Sequence, residues 1–549
     1  MKIMKLAAAA LAAVMILGAA PTVEAADGWE WHNIGCMGDL DGDRQLTQKD
    51  LGLMEAHLLG KEQLTLRNAY KTEGSFIGIN GADGFESGDY LITADVNQDG
   101  AIDTYDLVLM RQQIVDNSPL IVWQWQYSER EKPDIQTPEN FIHPSVYELY
   151  GSMPSQNSGR LLIFYVDFPD CKYSYAPTEE ELDDIAFGDK DMMNVNYPFE
   201  SIRAFMKRSS ENVMDLTGRS YRYTTEHEKS YYEGDKWHIK LIDEIVASFR
   251  NRIDFSAFDG NNDKTVDSIL ISVPSAAGDD DWWPKAGIYG GQDDRIDDEM
   301  YLGHIIVGNS EVDSATDHSD FVSSYCHELG HCMGLPDYYT YRKNALGDYQ
   351  GMHGSAGFEL MDDANCDFGA LSKLLLGWYY DWDVYVWDPS DGEHDIPLFN
   401  AQAERGNCII IPGKDFDDKN YRSEFFIIEY TTLKGNNTAL KKQWWRSTGE
   451  GIRIYHASAE LNNSVKYRSW RYASGNDYET DYDEGRRFIR LVGEGTDKTD
   501  NLFHDGDVID SSTPGFGWYD PEGKPVLPVG VKITIQADEG SYLLNIEKE

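Results

Sequence analysis

His327-Glu328-Leu329-Gly330-His331 runs on into Cys332-Met333-Gly334-Leu335-Pro336-Asp337. On a helix, residues four apart lie one turn from each other on the same face, so both imidazoles reach one ion. Glu328, beside the first histidine, points toward the open side of that ion, where a water would sit. Gly334 supplies the left-handed backbone that ends a helix, and the turn through Leu335-Pro336 brings Asp337 back as a third ligand. Three protein ligands and one open position describe a catalytic zinc, not a structural one. The predicted chemistry is hydrolysis with Glu328 as general base. Tyr338 and Tyr339, just after the string, are candidates to steady an oxyanion by proximity alone.

Such a site needs strands and helices to hold it. Leu161–Val166 and Ile269–Val273 are continuous apolar runs and read as buried strands. Residues 198–208 and 236–252 read as amphipathic helices, with alternating strand signals near Val213–Tyr223 between them. Asp259, Asn261, Asp263 and Asp267 stand at alternate places before the second strand. They read equally as a structural calcium site and as a solvated acidic turn. From about Asp381 the pattern changes to short strands at Phe425–Tyr430, Gly451–His456, Phe488–Val492, Val531–Ile535 and Leu543–Ile546. That predicts a C-terminal all-β sandwich. Its aromatics, Trp444, Trp445, Trp470, Tyr472 and Trp518, read as packing rather than as a carbohydrate platform.

A repeat lies near the front. Asp39, Asp41, Asp43, Gln45, Thr47 and Asp50 occupy loop positions 1, 3, 5, 7, 9 and 12, and Asp95, Asn97, Asp99, Ala101, Asp103 and Asp106 repeat them. Oxygen ligands at these places, with a backbone carbonyl at position 7, suit a seven-coordinate calcium. Leu46 and Ile102 would anchor each loop, and the helices that follow carry apolar faces of Leu51, Met54 and Leu58, and of Leu107, Met110 and Ile114.

Ninety-five acidic against 48 basic residues, a net charge of −47, argue against nucleic acid or an anionic membrane as partner. Met1–Lys5 and the apolar run Leu6–Ala20, then Val23-Glu24-Ala25, read as a signal peptide cleaved after Ala25. No later run is long enough to span a bilayer, so an exported, extracellular protein without membrane insertion is predicted. Cys36, Cys171, Cys326, Cys332, Cys366 and Cys408 are few and scattered, and unpaired buried thiols are the default.

The half-hand loop used twice resembles the type I dockerin of cellulosomal enzymes. That resemblance implies folding on calcium and a cohesin module of a scaffold protein as partner, with Gln48, Lys49, Thr104 and Tyr105 reading it. Arg44 replaces the usual turn glycine, and residues 61–94 form an insertion between the copies. From about Leu161 onward the chain resembles the immune-inhibitor-A family of secreted metallopeptidases. The matching pieces are Val166-Asp167-Phe168-Pro169, Leu216-Thr217-Gly218, Ser230-Tyr231-Tyr232, the zinc string, Gly357–Asp362 and Ser372–Trp378. It implies a metzincin-like zincin domain, peptide or protein substrates, and Met361 in a turn beneath the ligands. Cys326 and Cys332 flank the string unusually.

The expected fold is multidomain: a signal peptide (1–25), a small α-helical calcium-binding dockerin-like module (26–118), a linker (119–160), an α+β zincin catalytic domain (161–380) and the β-rich domain (381–549). The expected function is a secreted zinc endopeptidase, with one catalytic Zn2+ and two or more Ca2+, docked by its dockerin onto a cellulosome-type scaffold at the cell surface, in the setting of polysaccharide breakdown. The alternative is a calcium-dependent, non-catalytic scaffold component with an inert zincin-like domain.

Overall fold

The computed structural model describes residues 29–40, 45–61, 69–71, 77–79, 90–97, 102–127 and 153–549. Within the last stretch it omits 158, 189–199, 235–237, 278, 290–293, 297–299, 315–317, 340–357, 363–364, 391, 403–405, 443–448, 463–468, 473–486, 494–500, 521–524 and 539. The expectations placed on residues 1–25, on Asp41, Asp43, Asp99 and Ala101, on residues 128–152, and on Gly357, Trp444 and Trp445 lie outside the described residues. The chain forms two compact units, Met1–Lys132 and Pro133–Glu549.

In the first unit β1 (Trp29–Cys36), helix Gln48–Leu58, β2 (Ala69–Lys71), β3 (Ile77–Ile79), β4 (Tyr90–Ile92), helix Thr104–Asp116 and β5 (Ile121–Tyr127) follow in order. Its core is small: Met37, Leu40, Leu51, Met54, Ala94, Val96, Met110 and Val122, with Leu46 and Ile102 packed against it. The apolar residue at position eight of each loop therefore does anchor it. Residues 121–127, which the flanking prolines predict as linker, are instead the central strand of an antiparallel sheet ordered β1-β5-β3. The run Ile-Val-Trp-Gln-Trp-Gln-Tyr alternates in side-chain character, and that period outweighs the proline punctuation on either side. The insertion between the repeats contributes β3 to the same sheet.

The second unit begins with β6 (Arg160–Asp167), helices Glu179–Phe187 and Ile202–Ser209, β7 (Thr217–Thr224), helix Ile239–Phe249, β8 (Ser268–Ser272), β9 (Lys285–Ile288), β10 (His304–Gly308) and helix Ser319–Cys332. The strands form one sheet ordered β7-β6-β8-β10-β9, parallel except for β9 at its edge. Buried on both faces, β6 reads as a continuous apolar run, as parallel strands do. Its alternate residues serve two cores. Leu162, Phe164 and Val166 pack with Leu241, Ile242, Ile245, Val246 and Phe249 of helix Ile239–Phe249. Leu161, Ile163 and Tyr165 face the core that contains the buried side of helix Ser319–Cys332.

Helix Ala370–Leu375 follows, then β11 (Val384–Val386), β12 (His394–Leu398), β13 (Cys408–Pro412), β14 (Glu424–Thr431), β15 (Gly451–Ser458), β16 (Leu461–Asn462), β17 (Ser469–Trp470), β18 (Ile489–Leu491), β19 (Val508–Ile509), β20 (Gly517–Tyr519), β21 (Pro525–Pro528), β22 (Val531–Asp538) and β23 (Ser541–Lys548). Two sheets dominate, β11-β13-β14-β15-β18 and β12-β23-β22-β19. One face of the first supplies Ile409, Ile411, Phe426, Ile428, Ile452 and Ile454 to a core completed by Ile396, Ile533, Ile535, Leu544 and Ile546 of the second. Its opposite face sends Ile410, Phe425, Ile427, Tyr455, Ile489 and Leu491 into the core beneath helix Ser319–Cys332. The core beneath helix Ser319–Cys332 thus draws side chains from both sides of Asp381. The whole is a multidomain α+β chain whose greater part is rich in β-sheet. No described helix is long and apolar enough to cross a membrane. No disulfide joins the described cysteines, and all but Cys171 are buried.

Candidate metal centre

Helix Ser319–Cys332 turns Phe321, Val322, Tyr325, Cys326, Leu329 and Cys332 into the core. Its end is a Schellman closure: Leu335 N donates to Gly330 O at 3.0 Å and Gly334 N to His331 O at 2.8 Å. Gly334, at φ +100°, occupies the left-handed position this closure needs. The chain then reverses, and Asp337 meets both histidines.

Asp337 Oδ1 lies 3.0 Å from His327 Nε2 and 3.3 Å from His331 Nε2. The far nitrogen of each ring faces a backbone carbonyl: His327 Nδ1 is 2.8 Å from Leu360 O, and His331 Nδ1 is 2.8 Å from Leu335 O. A carbonyl only accepts, so each Nδ1 carries a proton and each Nε2 is left to face Asp337, as a donor when the ring is charged and as a lone pair when it is neutral. With neutral rings, three acceptors would face one point and repel unless a cation stood among them. Ligands about 2.0–2.1 Å from a tetrahedral zinc are roughly 3.3 Å apart, close to the spacing here. The donor set fits that metal.

The charges say the same. Burial presses the His327 imidazole down, yet the hydrogen bond and charge of Asp337 outweigh it and raise its pKa to about 10. His331 is raised by the same contest, and the two rings hold Asp337 well below the carboxylate range against its burial. The cluster thus favours positive charge, whether as protons on the rings or as a bound cation. Glu328 is buried beside the histidines, and burial raises its proton affinity against their charge. Its Oε2 has no hydrogen-bond partner among the described residues. Those residues contain one group of three or more His, Cys, Asp or Glu side chains whose ligand atoms lie within 4.8 Å of one another: His327, His331 and Asp337.

Beneath the ligands, Gly330 has no side chain because none would fit: a Cβ there would stand 2.5 Å from Met361 Sδ. Met361 is fully buried, and its carbonyl accepts from Tyr338 N at 2.8 Å. The turn that carries it is tied by Glu359, whose carboxylate accepts from Met361 N (2.6 Å), Gly369 N (3.2 Å) and the Ser372 hydroxyl. Burial lifts the Glu359 carboxyl to about 8 despite these donors. Spacing within the motif gave no sign of this role. Tyr338 does not face the site: it is buried, with its hydroxyl 2.8 Å from Ser372 Oγ. Tyr339 does lie close, its ring 6.2 Å from that of His327. Cys332 is remote in role, its thiol pushed up to about 12 by burial and its sulfur 3.4 Å from Ser268 Oγ of β8.

The loops of the first unit repeat one device. Asp50 accepts from Leu40 N and Thr47 N at 2.8 Å each, and Asp106 accepts from Val96 N and Asp103 N at 2.8 Å each. Thr47 and Asp103 cap the two helices, each in a capping box with the aspartate three residues on. Position nine is thus both a proposed ligand and a helix cap. Asp39 is buried, while Asp95, Asn97 and Gln45 border the same loops. Gln48, Lys49, Thr104 and Tyr105 are all exposed at the helix starts. Asp106→Ala, which strips a buried acceptor from three backbone N–H groups, is expected to cost about 3 kcal/mol or more and to abolish calcium-dependent cohesin binding. Calcium titration followed by circular dichroism, with a cohesin pull-down, checks both.

In the third acidic loop, Asp259 accepts from Asp263 N (3.1 Å) and Lys264 N (2.8 Å), while Asp263 accepts from Thr265 N (2.8 Å). Asp267 is buried and accepts from Gly260 N and from Arg160 N at the start of β6. Asp259 and Asp263 close the loop on its own backbone, and Asp267 also ties it to β6. Of the C-terminal aromatics, Trp470 and Tyr472 are buried, and the Trp518 ring packs 5.0 Å from that of Phe426.

Residues 37–115 match the family model of the dockerin type I domain. The chain therefore carries such a domain near its N-terminus, a calcium-binding module that implies a cohesin partner. Among curated proteins none matches the chain.

Proposed function

We propose that this chain is a secreted zinc endopeptidase held on a cohesin-bearing scaffold by its dockerin domain. The observation that carries the reading is the convergence of His327, His331 and Asp337 on one point, with the buried Glu328 carboxylate near enough to feel the charge of all three. A zinc ion bound there would supply Lewis acidity to a water and to the scissile carbonyl. Glu328 takes a proton from the attacking water and delivers it to the departing amide nitrogen. Burial and an unpartnered Oε2 suit a carboxylate that must hold a proton between those steps. Asp337, as an anionic ligand, leaves the centre less positive than a third imidazole would, so more of the work falls on Glu328.

The resemblance to immune-inhibitor-A peptidases supports the peptide bond as target, with the Met361 turn below the ligands as in metzincin-like zincins. The paired C-terminal sheets, read as a sandwich, back that centre from below. The signal-like N-terminal sequence supports an extracellular setting, and the acidic composition is in keeping with it. Asp259, Asn261, Asp263 and Asp267 remain a proposal for a further calcium.

The purified mature protein is expected to contain one zinc per chain and to cleave casein, with activity lost to 1,10-phenanthroline and restored by added zinc. Zinc content measured by plasma spectrometry, beside the cleavage assay, decides. No zinc uptake would sink the metal reading, whereas zinc without cleavage of any protein would favour the inert scaffold component.

A further inference from the structure

We infer that Trp470 is a positioning residue for the third ligand, Asp337, so that the C-terminal β region sets the affinity of the metal centre. The inference rests on the zinc reading above.

The strap from Gly334 to Tyr338 carries Asp337, and each of its fixed points is visible. The peptide between Gly334 and Leu335 is clamped on both sides: its N–H donates to Gly330 O at 3.0 Å, and its C=O accepts from Trp470 Nε1 at 3.0 Å. Leu335 O accepts from His331 Nδ1, and Tyr338 N donates to Met361 O. Three of these four ties come from residues of the metal helix or of the turn beneath it. The fourth comes from β17, 136 residues along the chain.

Gly334 is where that distant tie matters most. A glycine at φ +100° has no Cβ to resist rotation of the following peptide plane, so the strap's direction depends on what holds its carbonyl. Trp470 is buried and cannot swing away. Its ring packs 5.1 Å from Phe488, which in turn lies 5.5 Å from Tyr338, the neighbour of Asp337. One aromatic row thus holds the strap at its start by a hydrogen bond and at its end by ring contact. Asp337 lies on the strap between those two points.

Full-length protein with Trp470→Phe keeps a ring in the row and loses the N–H donor. Its zinc dissociation constant is expected to rise about tenfold to a hundredfold, the usual effect of removing an outer hydrogen bond at a metal site. The visible absorption of the cobalt-loaded protein should change with it, while the far-UV spectrum stays the same. Trp518→Phe, which alters a ring packed on Phe426, should leave zinc affinity as it was. Wild-type affinity in Trp470→Phe, or an equal loss in both variants, would overturn the inference. Should Trp470→Phe not fold, 3-benzothienylalanine at position 470 removes only the N–H, and the same affinity change is required of it. Failure of the unaltered protein to bind zinc would instead defeat the centre itself.

Discussion

Glutamine in place of Glu328 is expected to lower casein cleavage by about 10²- to 10⁴-fold, the range a general base contributes, while zinc uptake stays at one per chain. Glu328 is not among the three converging ligand groups, so its loss leaves His327, His331 and Asp337 in place. The amide matches the carboxylate in size, and the site is tightly packed around it. It carries no charge into that buried setting, so the fold should not suffer; burial already raises the proton affinity of the native carboxylate. What the amide cannot do is accept a proton from water. Zinc content and kcat/KM measured on the same preparation separate the two roles. Full activity in the Glu328→Gln protein would rule out this mechanism.

A chain ended at Tyr380 is expected not to fold between Pro133 and its new terminus. Ile410, Phe425, Ile427, Tyr455, Ile489 and Leu491 complete the core beneath helix Ser319–Cys332. Losing side chains of this kind costs about 1.5–3 kcal/mol each, and a whole domain is stable by only about 5–15 kcal/mol. Polar ties would go too. Asn436 Nδ2 donates to Asp367 Oδ1 at 3.0 Å, Asn437 Oδ1 accepts from Asp367 N at 2.9 Å, and Ala401 O accepts from Lys373 Nζ at 3.0 Å. The truncated chain would leave Lys373 and Asp367 buried with part of their hydrogen bonding unmet. Thermal melting followed by circular dichroism decides the matter. A soluble fragment that melts cooperatively and binds zinc would show that the sheet is an accessory after all.

These two outcomes mark different depths of legibility. The convergence of His327, His331 and Asp337 could be read because helix geometry is local: 3.6 residues per turn puts the two histidines on one face, and a glycine three residues on allows the reversal. The calcium loops could be read for the same reason, since twelve consecutive residues supply most of their own ligands. Buried strands such as β6 and β14 announced themselves by unbroken apolar runs. Strand β5 did not, because its pairing partners lie far away in the chain and nearby prolines gave a competing signal.

What spacing could not reveal is which distant groups hold a local motif still. Glu359 secures the turn under His327, Trp470 holds the peptide that opens the Asp337 strap, and Asn436 and Asn437 join the C-terminal sheet to Asp367. Tyr338, placed near the site by sequence, points into the core instead. By itself the sequence determined the types of the converging side chains, their helical register and the carboxylate beside them, for those depend on neighbours within a dozen residues. Only the tertiary structure decided how firmly they are held, because burial and hydrogen bonding across 100 residues or more depend on packing that no local pattern encodes.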